Sequence, residues 1–527
     1  MKPPSRSLPA RLASCLVAFL LLGTTACSGT SGTGGADAAA VDAAKAADRA
    51  AEFRFAINIG MNSLDPHRPV NPSDSIWMRP VYDGLLTLAG RGDKVELAPQ
   101  LATSYEIAPD GLSIDFVLRD GVTFAGGAPF DAEAVAANIE RAMGPDSTVA
   151  GQIDAIERVE VVDPTHVVFH LSHPDPGLPW TLADGTAGMM VDPAAFGTDL
   201  KSEPAGTGPY TLVSAAKDAD VVYRRRDGHW DPDAALAAEL TITTIPDANA
   251  RFNGVRSGRY DAANMSPPLN SVSEPLAGQG YHWEQELSPI SLGVLLNGAI
   301  APFDDVRVRR AVYLAVDRAK ISEQVLRGLN PPSYQTFNEG YLGFDPKLDK
   351  NPYDLERARA LVREAGAEGA AVTVLQVTTS PHDTLAQVVQ QALTDIGLKV
   401  ELSPKSGTES HAIWREGRSQ AYVGTMLHYA EPSQTLTRTY LSKENPGPAD
   451  PALEKMARDA RALPVGGPER EKAYREIGAY LIENPVHVPI VQFSTVVLAR
   501  PNVVGSADIV VQDLGKLDFR RVGVTGR

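Results

Sequence analysis

Both cysteines, Cys15 and Cys27, stand within the first 27 positions, so 500 of the 527 residues contain no thiol. No disulfide or cysteine-bound metal can brace that body, and packing must hold it. A chain this long exceeds one compact core and predicts several domains. The hydrophobic fraction of 43% supplies the cores, and 45 Gly with 40 Pro supply turns without a fibrous repeat. The formal net charge of −16 argues against nucleic acid as a partner, because coating phosphates needs clustered Lys and Arg.

Lys2, Arg6 and Arg11 precede an apolar run from Leu12 to Leu22, and small residues then lead from Gly23 to Cys27. These are the zones of an export signal over 1–26, with an apolar run too short to span a bilayer comfortably. Residues 27–51 are rich in Ser, Gly and Ala and read as a flexible tether. Cys27 resembles the lipobox cysteine of bacterial lipoproteins, with Thr24 where Leu is usual. The resemblance implies acylation of Cys27 and a lipid anchor at the extracytoplasmic face of the bacterial cell membrane; the alternative is an ordinary signal peptide. No later stretch approaches 18 uninterrupted apolar residues, and no internal repeat is visible.

The body alternates strand and helix patterns, which indicates a mixed α/β fold. Phe53 to Ile59 alternates as a strand, and Asp131 caps a helix over Ala132 to Met143. Helical spacing recurs over Arg307 to Leu326, Leu355 to Glu364, Thr384 to Ile396 and Glu469 to Glu483. Val372 to Val377, Lys399 to Leu402 and Val486 to Leu498 read as strands.

Enzyme chemistry finds little footing. Gly-x-Ser-x-Gly, His-Glu-x-x-His and the P-loop are absent, and Ser214 to Lys217 fits Ser-x-x-Lys without its usual companions. His166, His170 and His173 are a close histidine cluster, but no carboxylate repeats at matching spacing, so a solvated strand face is expected rather than a metal site. Asp304 and Asp305 beside Arg307, Arg309 and Arg310 read as a capped, ion-paired helix start. No catalytic residue, metal or cofactor is predicted.

A string of motifs covers most of the body: Ser63-Leu64-Asp65-Pro66, Val81-Tyr82-Asp83-Gly84-Leu85-Leu86, Leu97-Ala98-Pro99-Gln100-Leu101-Ala102, and Phe116 to Phe124. Pro129-Phe130-Asp131-Ala132-Glu133-Ala134-Val135, Gly206-Thr207-Gly208-Pro209-Tyr210 and Pro302 to Ala311 with Ala315-Val316-Asp317-Arg318 follow in order. Together these resemble the family 5 extracellular solute-binding proteins of bacterial ABC importers, the oligopeptide, dipeptide and nickel group. The resemblance implies a two-lobed periplasmic-binding-protein-like fold. Lobe I would take 52–290 with a subdomain near 83–200, lobe II 291–486, and 487–527 would return to lobe I. Strands near Ser288 to Val294 and Pro485 to Val491 would cross between the lobes as a hinge.

Peptide-binding relatives look like Trp-x-x-Asp-Tyr-x-Glu-Pro where this chain reads Thr425-Met426-Leu427-His428-Tyr429-Ala430-Glu431-Pro432. His428 replaces the aspartate that holds a peptide's ammonium, and Thr425 replaces the tryptophan, which weighs against binding of free dipeptides. His428, Tyr429, Trp77, Trp414, Tyr422 and Glu431 are the candidate ligand contacts, each with a competing role in the core. The resemblance implies a monomeric receptor that delivers a peptide-like solute to permease subunits and their ATPase. A metal chelate, sugar or amino-acid derivative is the alternative solute; a surface enzyme or a sensor-coupled receptor are the alternative classes.

Overall fold

The computed structural model describes residues 42–90, 95–215, 220–265, 269, 272–429, 431–442, 444–510 and 517–526. The expected export signal, Cys15, Cys27 and Lys217 lie outside the described residues. Among the described residues the longer strands are β1 (Glu52–Ile57), β2 (Leu86–Ala89), β3 (Glu96–Pro99), β4 (Ala102–Ile107), β5 (Ser113–Leu118), β6 (Ile156–Asp163), β7 (His166–Leu171), β8 (Tyr210–Ala215), β9 (Asp220–Arg225), β10 (Glu239–Thr244), β11 (Ala262–Met265), β12 (His282–Leu296), β13 (Ala371–Val377), β14 (Lys399–Lys405), β15 (Ala421–Met426) and β16 (His487–Ala499). Ten of these form one mixed sheet in the order β14-β13-β15-β12-β16-β11-β1-β10-β9-β8. At one end β1 lies parallel between β10 and β11; at the other β13 lies parallel between β14 and β15.

The long strands β12 and β16 join the two ends. They pair antiparallel from His282↔Ala499 to Leu295↔His487, and the ladder shifts register between Leu287 and Ser291. On one side of that break β16 places Val497 and Ala499 in a core with Phe53, Phe55, Tyr223 and Ile242. On the other side Val488 and Ile490 join Leu292, Val294, Val374 and Val423. A third core, under the small sheet β4-β5-β7-β6, gathers Ile114, Phe116, Val167 and Phe169 against Val135 and Ile139. The last two belong to the helix Ala132–Met143, which starts where Asp131 accepts a hydrogen bond from the Ala134 amide at 3.0 Å. On the exposed face of β7, His170 meets Glu160 at 2.9 Å, and His166 meets Asp163 at 3.0 Å. Among the described residues no group of three or more His, Cys, Asp and Glu is placed to hold a metal ion, and no helix is long and apolar enough to cross a membrane.

Two expectations are corrected. Arg307 to Leu326 is not one helix: Val306–Ala315 ends at Val316, which is extended with φ −91° and ψ 110°. The cause is Arg318, whose buried guanidinium turns inward to the carbonyls of Pro489 at 2.6 Å, Tyr313 at 3.0 Å and Val316 at 3.1 Å. Apolar spacing continues across the break because Ile321 and Leu326 still face the same core. Residues 42–51, assigned to the tether, are docked on the body. Residues 42–46 are helical, the Asp48 amide donates to the Val524 carbonyl at 2.8 Å, and Arg49 donates to the Pro232 carbonyl at 2.8 Å.

The motifs of the resemblance hold structure together. Asp83, 1% exposed, accepts hydrogen bonds from Gln100 Nε2 at 3.0 Å, His229 Nε2 at 3.1 Å and Trp230 Nε1 at 3.0 Å. Asp65 receives both Arg141 Nη atoms at 2.9 and 2.6 Å. Gly206 and Gly208 admit the Val81 main chain, which lies 2.2 and 2.5 Å from where their Cβ atoms would stand. Buried carboxylates of this kind are costly to leave incomplete. Asp83→Ala strands three buried donors, so urea unfolding should show a loss of about 3–5 kcal/mol. An unchanged midpoint would show that the Asp83 cluster contributes nothing.

Candidate binding cleft

Two adjoining cavities lie where the Phe53 and Phe116 cores face the Val374 core. The larger, about 540 Å³, has one wall of Pro69, Val70, Asn71, Thr148, Gln152 and Thr186 and an opposite wall of His411, Arg415, Tyr429, Arg438 and Glu444. A recess of about 280 Å³, which shares Val70, Asn71, His411, Leu427 and Glu444 with it, runs between Leu295, Trp414, Tyr422 and Met426. These volumes suit a small organic solute. Two larger cavities, of about 660 and 1080 Å³, include no residue before Gln285; the second lies along the broken β12–β16 ladder, lined by Gln285, Glu286, Leu287 and Gln492 together with residues between 328 and 349.

The helix Gly407–Arg415 and strand β15 build one wall. The helix starts at Ser406, whose hydroxyl accepts from the Glu409 amide at 3.2 Å. It carries His411 on one turn and Trp414 and Arg415 on the next, and the Glu444 carboxylate ties His411 to Arg415 by accepting from Arg415 Nε at 3.1 Å and facing His411 Nε2 at 3.3 Å. The Trp414 indole donates to the Glu444 carbonyl at 2.8 Å, and its ring lies 6.0 Å from that of Tyr422. Gly424 makes this arrangement possible, since a Cβ there would stand 2.5 Å from Tyr422 Cζ.

Arg438 sits in a π-helical turn, Leu436–Tyr440, closed by the Leu441 amide donating to the Leu436 carbonyl at 2.8 Å. Its guanidinium lies 4.1 Å from the Tyr429 ring centroid and reaches the Gln434 side-chain oxygen at 3.3 Å. Burial pushes the Tyr429 phenol up, against the opposing pull of Arg438. The facing wall carries no charged side chain. It offers Asn71 Oδ1 and Gln152 Oε1, both buried without a hydrogen-bond partner, and Val70, which is 62% exposed.

Of the candidate contacts, Tyr429 lines the larger cavity, and Trp414 and Tyr422 line the recess. His428 lines neither. Its ring stacks on Tyr440 at 6.4 Å with an interplanar angle of 10°, and Tyr440 stands 4.5 Å from His487. The Pro289 carbonyl approaches the His428 imidazole without reaching hydrogen-bond geometry. Trp77 is wholly buried in the Phe53 core, where its carbonyl accepts the Tyr223 hydroxyl at 2.8 Å. Glu431 is buried beside the cleft, paired with the fully buried Arg470 and capping the Ser433 amide at 3.3 Å. Sequence reading passed over Arg438, His411, Glu444, Asn71 and Val70. Only Arg438 left a trace, as a lone cation in the otherwise uncharged run Pro432 to Ser442.

Across the cleft mouth the two sides touch. Arg461, the last residue of the helix Pro451–Arg461, donates to Asp175 at 2.6 Å and to Asp154 at 3.1 Å. Gly177 lies so close to the opposite side that a Cβ would stand 3.0 Å from Glu431 Cγ and 3.1 Å from Ser433 Oγ.

A mixed sheet whose central strand β16 serves two cores, with an open cleft between them, is the architecture of a cleft-type solute receptor. The profile of the bacterial extracellular solute-binding proteins, family 5 (middle region) matches residues 96–447, and the chain belongs to this family, the substrate-binding proteins of ABC importers. The glutathione-binding protein GsiB of Salmonella paratyphi A is 28% identical over 384 residues, 71% of this chain and 73% of the relative. The periplasmic binding protein DppA of Helicobacter pylori, solved with the peptide STSA, superposes with a TM-score of 0.80 at 20% identity, covering 92% of this chain and 100% of its own. AgaA of A. tumefaciens R10, solved with agropinic acid, gives 0.79 at 21% identity, with 90% and 99% covered. These structures share the fold.

Burial holds three imidazoles neutral: desolvation lowers His428 to about 4, and His67 and His487 to about 3. Because each folded value lies below the unfolded one, the unfolded chain takes up these protons first as pH falls below about 6.5. Stability is therefore complete above that pH and declines towards pH 4, by roughly 2 kcal/mol per imidazole between pH 7 and 5. Urea midpoints at the two pH values measure this; equal midpoints would mean that the three rings are hydrated.

Proposed function

We propose that this chain is a lipid-anchored receptor of an ABC importer that closes around a peptide-like solute and hands it unchanged to the permease. The cavity walled from both sides of the broken β12–β16 ladder carries this reading, because such a cavity forms and empties as the sides move about those strands. In this reading residues 52–290 with 487–527 form one lobe, the subdomain near 83–200 included, and 291–486 the other. Closure is completed where Arg461 meets Asp175 and Gly177 meets Glu431. Asn71 Oδ1 and Gln152 Oε1 favour a solute with amide N–H donors, since an unpaired buried acceptor costs about 1–3 kcal/mol. GsiB and DppA, named for glutathione and seen with a peptide, agree with that class. Acylated Cys27 would hold the receptor near its permease by the short stretch that remains before the docked residues 42–51.

Native mass spectrometry of the purified protein, before and after denaturation, tests the role: a non-covalently held guest of peptide-like mass should be released intact. Release of a chemically altered compound, or a receptor that keeps one shape in X-ray scattering with every peptide-like solute, would refute it. A second expectation concerns closure. Gly177→Leu puts a side chain into Glu431 and Ser433, so ligand-induced compaction should disappear and affinity should fall at least about tenfold, with thermal stability of the ligand-free protein unchanged. Normal compaction in this variant would remove Gly177 from the closing surface.

A further inference from the structure

Arg438 brings an unbalanced positive charge to the cavity wall. Its neighbour Arg415 is neutralised by Glu444, whereas no carboxylate among the described residues stands within ion-pair distance of Arg438. The side chains that line the facing wall, from Pro69 to Thr186, are neutral, and the carboxylate that acts on Tyr429 from that side, Asp184, is itself buried and lines neither cavity. Arg438 is half-buried at the cavity wall, and a guanidinium turned to a cavity offers a planar fork that fits a carboxylate. Tyr429 stacks on one face of the fork and Gln434 binds one edge, so its direction is set before any solute arrives. His428, at the position where a solute's ammonium would be sought, is buried beside Tyr440 and lines neither cavity. Glu444, the carboxylate lining both cavities, is occupied by Arg415 and His411.

We infer that the cleft selects its guest by a carboxylate held on Arg438, and that it requires no free amino group: the preferred class is a short peptide or acylated amino acid with a free carboxyl end, its amino end open or blocked. The inference rests on the peptide-like reading above and names which end of the solute that site grips. The remaining walls complete the description. Asn71 and Gln152 accept amide N–H groups, Val70 covers aliphatic surface, and the recess between Leu295, Trp414, Tyr422 and Met426 takes an apolar side chain or acyl group.

Titration calorimetry of the full-length protein with three probes separates the possibilities: the dipeptide Ala-Phe, N-acetyl-Ala-Phe and Ala-Phe-amide. N-acetyl-Ala-Phe should bind at least as tightly as Ala-Phe, and the amide about 10- to 100-fold more weakly than either, the usual loss for a missing charged hydrogen-bond partner. Arg438→Gln should weaken the two acids by a similar factor and leave the amide unchanged, while Arg438→Lys should restore part of the loss. Melting curves of both variants, expected at the wild-type temperature, show that the fold is kept. If the amide binds as tightly as the acids, or Arg438→Gln weakens all three alike, the carboxylate assignment is wrong and the receptor reading stands. If none of the three probes binds the wild-type protein, the peptide-like reading falls, and the assignment with it.

Discussion

β16 belongs to two cores at once, with β12 laddered beside it over nearly its whole length, and this sharing constrains everything else. Most strands are about five or six residues long, but β16 has 13 because it furnishes apolar side chains to both ends of the sheet, and β12 has 15, its half-buried first six residues laddered to β16 and the rest buried. A continuous ladder of that length would be stiff. The register shift between Leu287 and Ser291 interrupts it at Ser288-Pro289-Ile290, where Pro289 has no amide hydrogen to donate. The two halves stay covalently and sterically registered, yet one short segment of unladdered chain lies between them. That is the mechanical condition for a cleft that opens without disturbing either core.

The cleft's electrostatics follow from what each side can afford to expose. On the side of the Asp65 and Asp83 clusters, charge is consumed internally: Arg141 by Asp65, and Arg520 by Asp518 and Asp83. The wall that this side turns to the cavity is therefore neutral and hydrogen-bonding. The opposite side spends Arg470 on Glu431 and Arg415 on Glu444, which leaves Arg438 as the charge available to a guest. Position 428 fits the same pattern. An aspartate in that dry ring stack would need a cation beside it, whereas a neutral imidazole does not.

How much of this was legible in the sequence depends on the range of the interactions. The helices Ala132–Met143 and Leu355–Glu364 were readable because cap and apolar stripe lie within one segment: Asp131 and Asp354 each bond an amide three residues on. Asp83 announced a motif but not its partners, since Gln100, His229 and Trp230 come from separate parts of the chain. The docking of residues 42–51 depends on Pro232, Asp233 and Val524, and nothing in an Ala-rich stretch signals partners so distant. Arg438 was hidden for another reason. A regular helix would repeat every 3.6 residues, and the π turn at Leu436–Tyr440 rotates that frame, so periodicity could not tell which way the side chain faces.

In the proposed receptor, the contacts at the cleft mouth leave most of the free energy of closure to the guest. Arg461 and Asp175 are both largely buried when they meet, with side chains 14% and 3% exposed, so their attraction is largely offset by lost hydration. Gly177 against Glu431 contributes shape without a bond of its own. Such a surface discriminates strongly against misaligned closure while adding little to the free energy of the aligned state. In that proposal the surplus that holds the sides together comes from within the cavity: from an anion on Arg438, amide donors on Asn71 and Gln152, and apolar surface over Val70 and in the Trp414 recess. A closed form whose mouth is nearly neutral in free energy and whose interior is unsatisfied is a form that its ligand selects.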